Sequence, residues 1–144
     1  MKLAFGSDHA GFELKEHMMS YARSKGYEVI DYGTFSNERC NYPVFGRAVA
    51  NAVANGTADR GILCCGTGFG ISLAANRVKG IRAVNATEEL TVKMSRHHNN
   101  SNILSMGARV IGVEKAESLF DVFMSEEFDG GRHAGRIELI DTVE

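Results

Sequence analysis

The sequence predicts an α/β fold: a three-layer α/β/α sandwich around a five-stranded parallel sheet. Three observations lead there. Short runs of apolar, mostly branched residues alternate with longer stretches whose apolar residues recur at helical spacing. One short run, Gly61 to Cys65, is wholly apolar rather than alternating, as a strand buried on both sheet faces should be. Sixteen glycines stand against one proline, which favours tight strand-to-helix turns over stiff linkers. Alternation of this kind implies parallel strands covered by helices on both faces. Right-handed crossovers then bring every strand's carboxyl end to one edge, where ligands bind in such sheets.

Lys2 to Ser7 is the first strand. After Asp8-His9-Ala10-Gly11, the residues Phe12, Leu14, His17, Met18, Tyr21 and Ala22 mark one face of a helix, stopped by Lys25-Gly26. Tyr27 to Tyr32 is the second strand, and Gly33 to Asn41 is a polar loop. A helix runs from about Tyr42 to Ala54, with Pro43 in its first turn, where a missing N–H costs little. The third strand, Gly61 to Cys65, passes through Gly66-Thr67-Gly68-Phe69-Gly70 into a helix reaching about Arg77. Gly80 to Asn85 and Ile103 to Ile111 are strands four and five. Helices from about Glu88, Lys115 and Arg132 complete the alternation. The outline is Rossmann-like, without internal repeat or linker, and 1–144 reads as one domain.

Bulk properties narrow the function. A formal net charge of -2 leaves no global positive excess to gather the phosphates of a nucleic acid, although a local basic patch for one small phosphate remains compatible. Three cysteines make no disulfide framework. No apolar run approaches the roughly 20 residues of a membrane span, and the first strand starts at once with no signal-like segment before it. A reducing cytoplasm is the expected location.

Three clusters carry candidate chemistry. Cys65-Gly66-Thr67-Gly68-Phe69-Gly70 lies between a buried strand and a helix. Its glycines allow backbone N–H groups to converge on an anion, and the same field favours a thiolate at Cys65. A thiolate beside an oxyanion cradle suits proton transfer next to a carbonyl. The plainer alternative is a cysteine packed at a strand end. Dinucleotide binding fits poorly, because the third glycine is misplaced for Gly-x-Gly-x-x-Gly. Cys64 alternates to the opposite sheet face, into a helix–sheet layer.

The second cluster, Arg96-His97-His98-Asn99-Asn100, closes a helix. It offers a proton donor near neutral pH, or simply cations that settle the helix dipole. Adjacent histidines do not share a helix face, so no metal site is expected. The third is Gly130-Gly131-Arg132-His133-Ala134-Gly135-Arg136. Arg132 and Arg136 share one helix face and either clamp a phosphate or form a solvated basic face. Asp8 could simply cap the helix that follows it.

Together these segments resemble the ribose-5-phosphate isomerase B family, which also includes allose-6-phosphate and galactose-6-phosphate isomerases. The resemblance rests on Gly6 to Phe12, Val29 to Thr34, Asn41-Tyr42-Pro43, Cys65 to Ser72, Ala75-Asn76-Arg77 and Gly80 to Ala83. It continues through His98 to Leu104, Gly107-Ala108-Arg109 and Gly130 to His133. It implies a cofactor-free aldose–ketose isomerisation of a sugar phosphate through an enediolate, in the pentose phosphate pathway if the sugar is ribose 5-phosphate.

By the same resemblance, Cys65 is the base, Thr67 and the N–H groups of Gly66, Gly68, Phe69 and Gly70 hold the oxyanion, and His98 opens the sugar ring. Asp8, Tyr42 and Asn99 bind the sugar, while His9, Arg109, Arg132 and Arg136 take the phosphate. A homodimer with shared sites, or a dimer of dimers, is also implied. The sequence departs from the common pattern at Asn41 and Asn100, where Asp is frequent, and at Val44, where a polar residue is frequent. The alternatives are a six-carbon sugar phosphate, such as allose 6-phosphate or galactose 6-phosphate, and a phosphate- or nucleotide-binding module without catalysis.

Overall fold

The structure, a computed structural model, describes residues 1–142. Strands β1 (Lys2–Ser7), β2 (Glu28–Asp31), β3 (Arg60–Cys65), β4 (Ala83–Asn85) and β5 (Ile103–Gly107) form one sheet in the order β2-β1-β3-β5-β4. Every pairing is parallel. The helices are α1 (Phe12–Ser24), α2 (Tyr42–Ala54), α3 (Phe69–Ala75), α4 (Glu89–Asn99), α5 (Val113–Ser125) and α6 (Arg132–Asp141). Among the described residues, no helix is long and apolar enough to cross a membrane.

The layers follow from the order of the strands. The path along the sheet reverses direction at β2 and again at β4. With right-handed crossovers, each reversal moves the connecting helix to the other face. Leu14 and Met18 of α1, Val92 of α4, and Leu119 and Phe120 of α5 therefore pack with Phe5, Ile62, Cys64 and Leu104 on one face. Val49 of α2 and Ile71 of α3 pack with Ala4, Leu63, Cys65 and Ile103 on the other. Alternation along β3 thus sends Cys64 and Cys65 into opposite layers, as the sequence predicts. Phe5, Phe120 and Phe123 are essentially inaccessible. Burying each such ring contributes roughly 1.5–3 kcal/mol.

Three expectations need correction. β4 begins at Ala83 rather than Gly80, because Gly80 is left-handed (φ 87°) and Ile81 N–H bonds back to Val78 in a turn. β5 ends at Gly107 rather than Ile111, because Val110 and Ile111 both donate to the Gly107 carbonyl and curl the chain off the sheet. The buried face of α1 takes in Lys15 and leaves His17 outside, where its Nε2 meets Glu117 at 2.6 Å. Lys15 is fully buried yet paired, with Nζ 2.7 Å from Asp31 Oδ1 and near the rings of Phe12 and Phe35. The helix stop is where expected, at Lys25 followed by left-handed Gly26 (φ 91°).

Candidate active site

β1 and β3 are neighbours, but the chain leaves them over opposite faces, which opens a crevice at their carboxyl ends. Asp8 follows β1, Cys65 ends β3, and Arg109 follows β5. Asp8 is buried, and its Oδ1 accepts the Gly11 N–H at 3.0 Å. It therefore fixes the turn before α1 rather than capping it, the N-cap being Gly11. The Cys40 N–H donates to His9 Nδ1 at 3.3 Å, so a neutral His9 ring carries its proton on Nε2. Arg109 lies on the turn after β5, not within the strand as the sequence suggested. Its N–H bonds to the Gly66 carbonyl at 3.0 Å, which brings its guanidinium over Gly66.

Cys65 is 4% exposed, and its Sγ accepts the Gly68 N–H at 3.1 Å. That N–H reaches the sulfur from the glycine-rich turn that follows β3. Burial pushes the neighbouring Cys64 thiol far up, so it stays protonated and inert. Thr67 is exposed, and its Oγ1 accepts the Phe69 N–H at 3.2 Å. Within this loop Gly68 is left-handed (φ 85°), and a Cβ there would meet Asn85 Oδ1 at 2.3 Å. Gly70 serves differently: its missing side chain admits the ring of Tyr42, 2.8 Å from where a Cβ would sit.

The loop also rests on two groups that sequence reasoning missed. Asn85 Nδ2 donates to the Thr67 carbonyl at 3.2 Å, and Ser105 Oγ donates to the Gly68 carbonyl at 2.6 Å. The available signal was a polar residue closing β4 and a lone hydroxyl inside the apolar run of β5.

The remaining candidates lie at the other edge of the sheet. His98 and Asn99 end α4, and the chain then passes through Asn102, whose carbonyl accepts the Gly61 N–H at the start of β3. Cys65 is four residues further along β3, roughly 13 Å away. His98 stacks on buried His133 of α6, with centroids 4.6 Å apart and rings 18° from parallel. Desolvation, then the charges of Arg132, His98 and Arg136, hold His133 below the usual histidine range. Arg132 and Arg136 are exposed on the first turns of α6. His97 clamps the approach to α6, with Nε2 2.6 Å from Glu126 and Nδ1 2.7 Å from Asp129.

The structure therefore sorts the predicted residues into two sets. Asp8, His9, Tyr42, Cys65 to Gly70 and Arg109 gather at the carboxyl edge. His98, Asn99, Arg132 and Arg136 gather near the amino edge of the same chain. A cavity of about 710 Å³ opens beside Arg77, Arg82, Asn99 and Asp141, and none of the carboxyl-edge residues lines it.

His98, Asp129 and His133 place ligand atoms within 4.8 Å of one another. Asp129 is already paired with His97, and the charges of Arg132 and Arg136 bear on His133. That surrounding suits an anion better than a cation.

Nearly the whole chain is similar to known proteins. The profile of a family described as Ribose/Galactose Isomerase matches residues 3–140. Ribose-5-phosphate isomerase B of Escherichia coli is 48% identical over 99% of this chain and 96% of its own length. Galactose-6-phosphate isomerase subunit LacB of Clostridium acetobutylicum is 41% identical over 89% of this chain and 74% of its own. Among solved structures, ribose-5-phosphate isomerase B of Clostridium thermocellum superimposes with a TM-score of 0.97 at 50% identity, covering 98% of this chain and 95% of that one.

Proposed function

The chain belongs to the ribose/galactose isomerase family, and on that premise we propose that it interconverts ribose 5-phosphate and ribulose 5-phosphate as one catalytic domain over residues 1–144. The observation that carries the chemistry is the nearly buried Cys65 Sγ, which takes a backbone N–H inside a glycine-rich turn. His98 opens the sugar ring by moving a proton from the anomeric hydroxyl to the ring oxygen. The Cys65 thiolate then removes the C2 proton of the aldehyde, and the electron pair moves through C1 onto O1. Thr67 and the turn's remaining N–H groups hold that oxyanion. The proton returns from Cys65 to C1, and the O2 hydroxyl proton passes to O1, leaving the ketone at C2. No metal or cofactor enters this sequence.

We place each active site between two copies of the chain. One copy supplies Cys65, Thr67, Asp8, His9, Tyr42 and Arg109, and the other supplies His98, Asn99, Arg132 and Arg136. The supporting argument is reach: within one chain these sets sit at opposite sheet edges. Exposed Phe69 and Leu73 on α3 and Leu139 and Ile140 on α6 offer apolar surface for such a contact. A reducing cytoplasm suits the three free thiols, and the pentose phosphate pathway suits this substrate.

The test is the initial isomerisation rate on ribose 5-phosphate beside allose 6-phosphate and galactose 6-phosphate. Preference for ribose 5-phosphate is expected. Preference for a six-carbon sugar would keep the chemistry and overturn the substrate, and no turnover of any would point to a binding module.

A further inference from the structure

Asn85 and Ser105 face each other in register across β4 and β5. They hold two consecutive carbonyls of the catalytic turn, those of Thr67 and Gly68. Each carbonyl shares a rigid peptide plane with the N–H of the next residue. The Thr67 carbonyl belongs with the Gly68 N–H, which points at Cys65 Sγ. The Gly68 carbonyl belongs with the Phe69 N–H, which points at Thr67 Oγ1. Fixing the two carbonyls therefore fixes the two N–H groups.

We propose that Asn85 and Ser105 are positioning residues, acting through these peptide planes on Cys65 and Thr67. This rests on the reading of Cys65 as the base. Asn85 also bears a cost that packing alone does not explain: its Oδ1 is buried with no hydrogen-bond partner among the described residues. A leucine of nearly the same shape would avoid that cost but could not donate to the Thr67 carbonyl. Ser105 is fully buried in an otherwise apolar strand, and its hydroxyl is spent on the Gly68 carbonyl. The donors also polarise the peptides they hold, which strengthens the hydrogen bonds on the far side.

The experiment compares Asn85→Leu, Ser105→Ala, Ser105→Thr and Cys65→Ala with the unaltered enzyme. It measures kcat and KM on ribose 5-phosphate, melting temperature, and the rate of Cys65 alkylation by iodoacetamide, followed by mass spectrometry. Asn85→Leu is expected to keep its melting temperature while kcat and alkylation both fall about tenfold with KM little changed. Ser105→Ala should lower kcat similarly, and Ser105→Thr, which restores the hydroxyl, should recover it. Unchanged kcat and alkylation in Asn85→Leu and Ser105→Ala, with Cys65→Ala inactive, would overturn the positioning role and leave the isomerase reading intact. Full activity in Cys65→Ala would instead overturn the base assignment on which the proposal stands. A kcat loss that tracks a fall in melting temperature would also overturn it, as a purely structural effect.

Discussion

Cys65 and Cys64 are chemically identical neighbours made different by one residue of strand register. Cys64 points into the α1–α5 layer, where burial keeps it protonated. Cys65 points toward the turn and takes the Gly68 N–H. Cys65→Ala is expected to lower kcat on ribose 5-phosphate by at least about 10³-fold with KM within a few-fold of its starting value, since the thiolate acts chiefly in the transition state. Steady-state kinetics decides it, and near-normal kcat would reject Cys65 as the base. Arg132→Ala should behave oppositely, raising KM about tenfold or more with a smaller change in kcat, because phosphate is gripped in ground and transition states alike. An unchanged KM would remove Arg132 from the phosphate site. The residues that stand in the sequence's recognisable motifs were legible at this scale. Asn85, Ser105 and Lys15 were not, because each takes its role from a partner distant in sequence.

At the scale of elements, α1 and β3 approach so closely that Gly11 has no room for a side chain: a Cβ there would lie 2.2 Å from the Cys64 carbonyl oxygen. Gly11→Ala is therefore expected to destabilise the fold by about 2–3 kcal/mol, since backbone on backbone cannot yield as a side-chain tip can. Chemical denaturation measures this, and a change within about 0.5 kcal/mol would mean that the two elements can part freely.

The junction of α4 with the loop leading into α6 is expected to depend on pH. Hydrogen bonding to Glu126 first, and then to Asp129, raises the His97 pKa above its ordinary value. Both ring nitrogens can donate only in the protonated form. The stabilisation is thus fully present below the unfolded value near 6.5, and it is lost as pH rises through the higher folded value. The melting-temperature advantage of the native chain over His97→Ala should shrink as pH rises from about 6 to 8. An advantage that grows over that range would contradict the assignment. Helical periodicity gave the helices closely, whereas the ends of β4 and β5 escaped it. Apolar residues continue through Ile81 and through Val110 and Ile111, but turn hydrogen bonds have already taken the backbone off the sheet.

For the whole molecule, sheet order and site composition make one argument. The sequence predicts a five-stranded parallel sheet with ligands at its carboxyl edge, and half of the candidate site lies there. The other half falls at the opposite edge because α4 runs antiparallel to the strands and delivers His98 to the start of β5. A helix that joins two parallel strands must end at their amino edge, so the alternation of elements already carried this separation. A site built from both halves requires a second copy.

The most direct test mixes Cys65→Ala and His98→Ala chains, unfolds and refolds them together, and measures turnover of ribose 5-phosphate. Each variant alone should be inactive. Mixed dimers should recover activity, because one of their two sites then draws an intact Cys65 from one chain and an intact His98 from the other. If mixtures that demonstrably exchange subunits stay as inactive as either variant alone, each site lies within a single chain and the shared-site account is wrong.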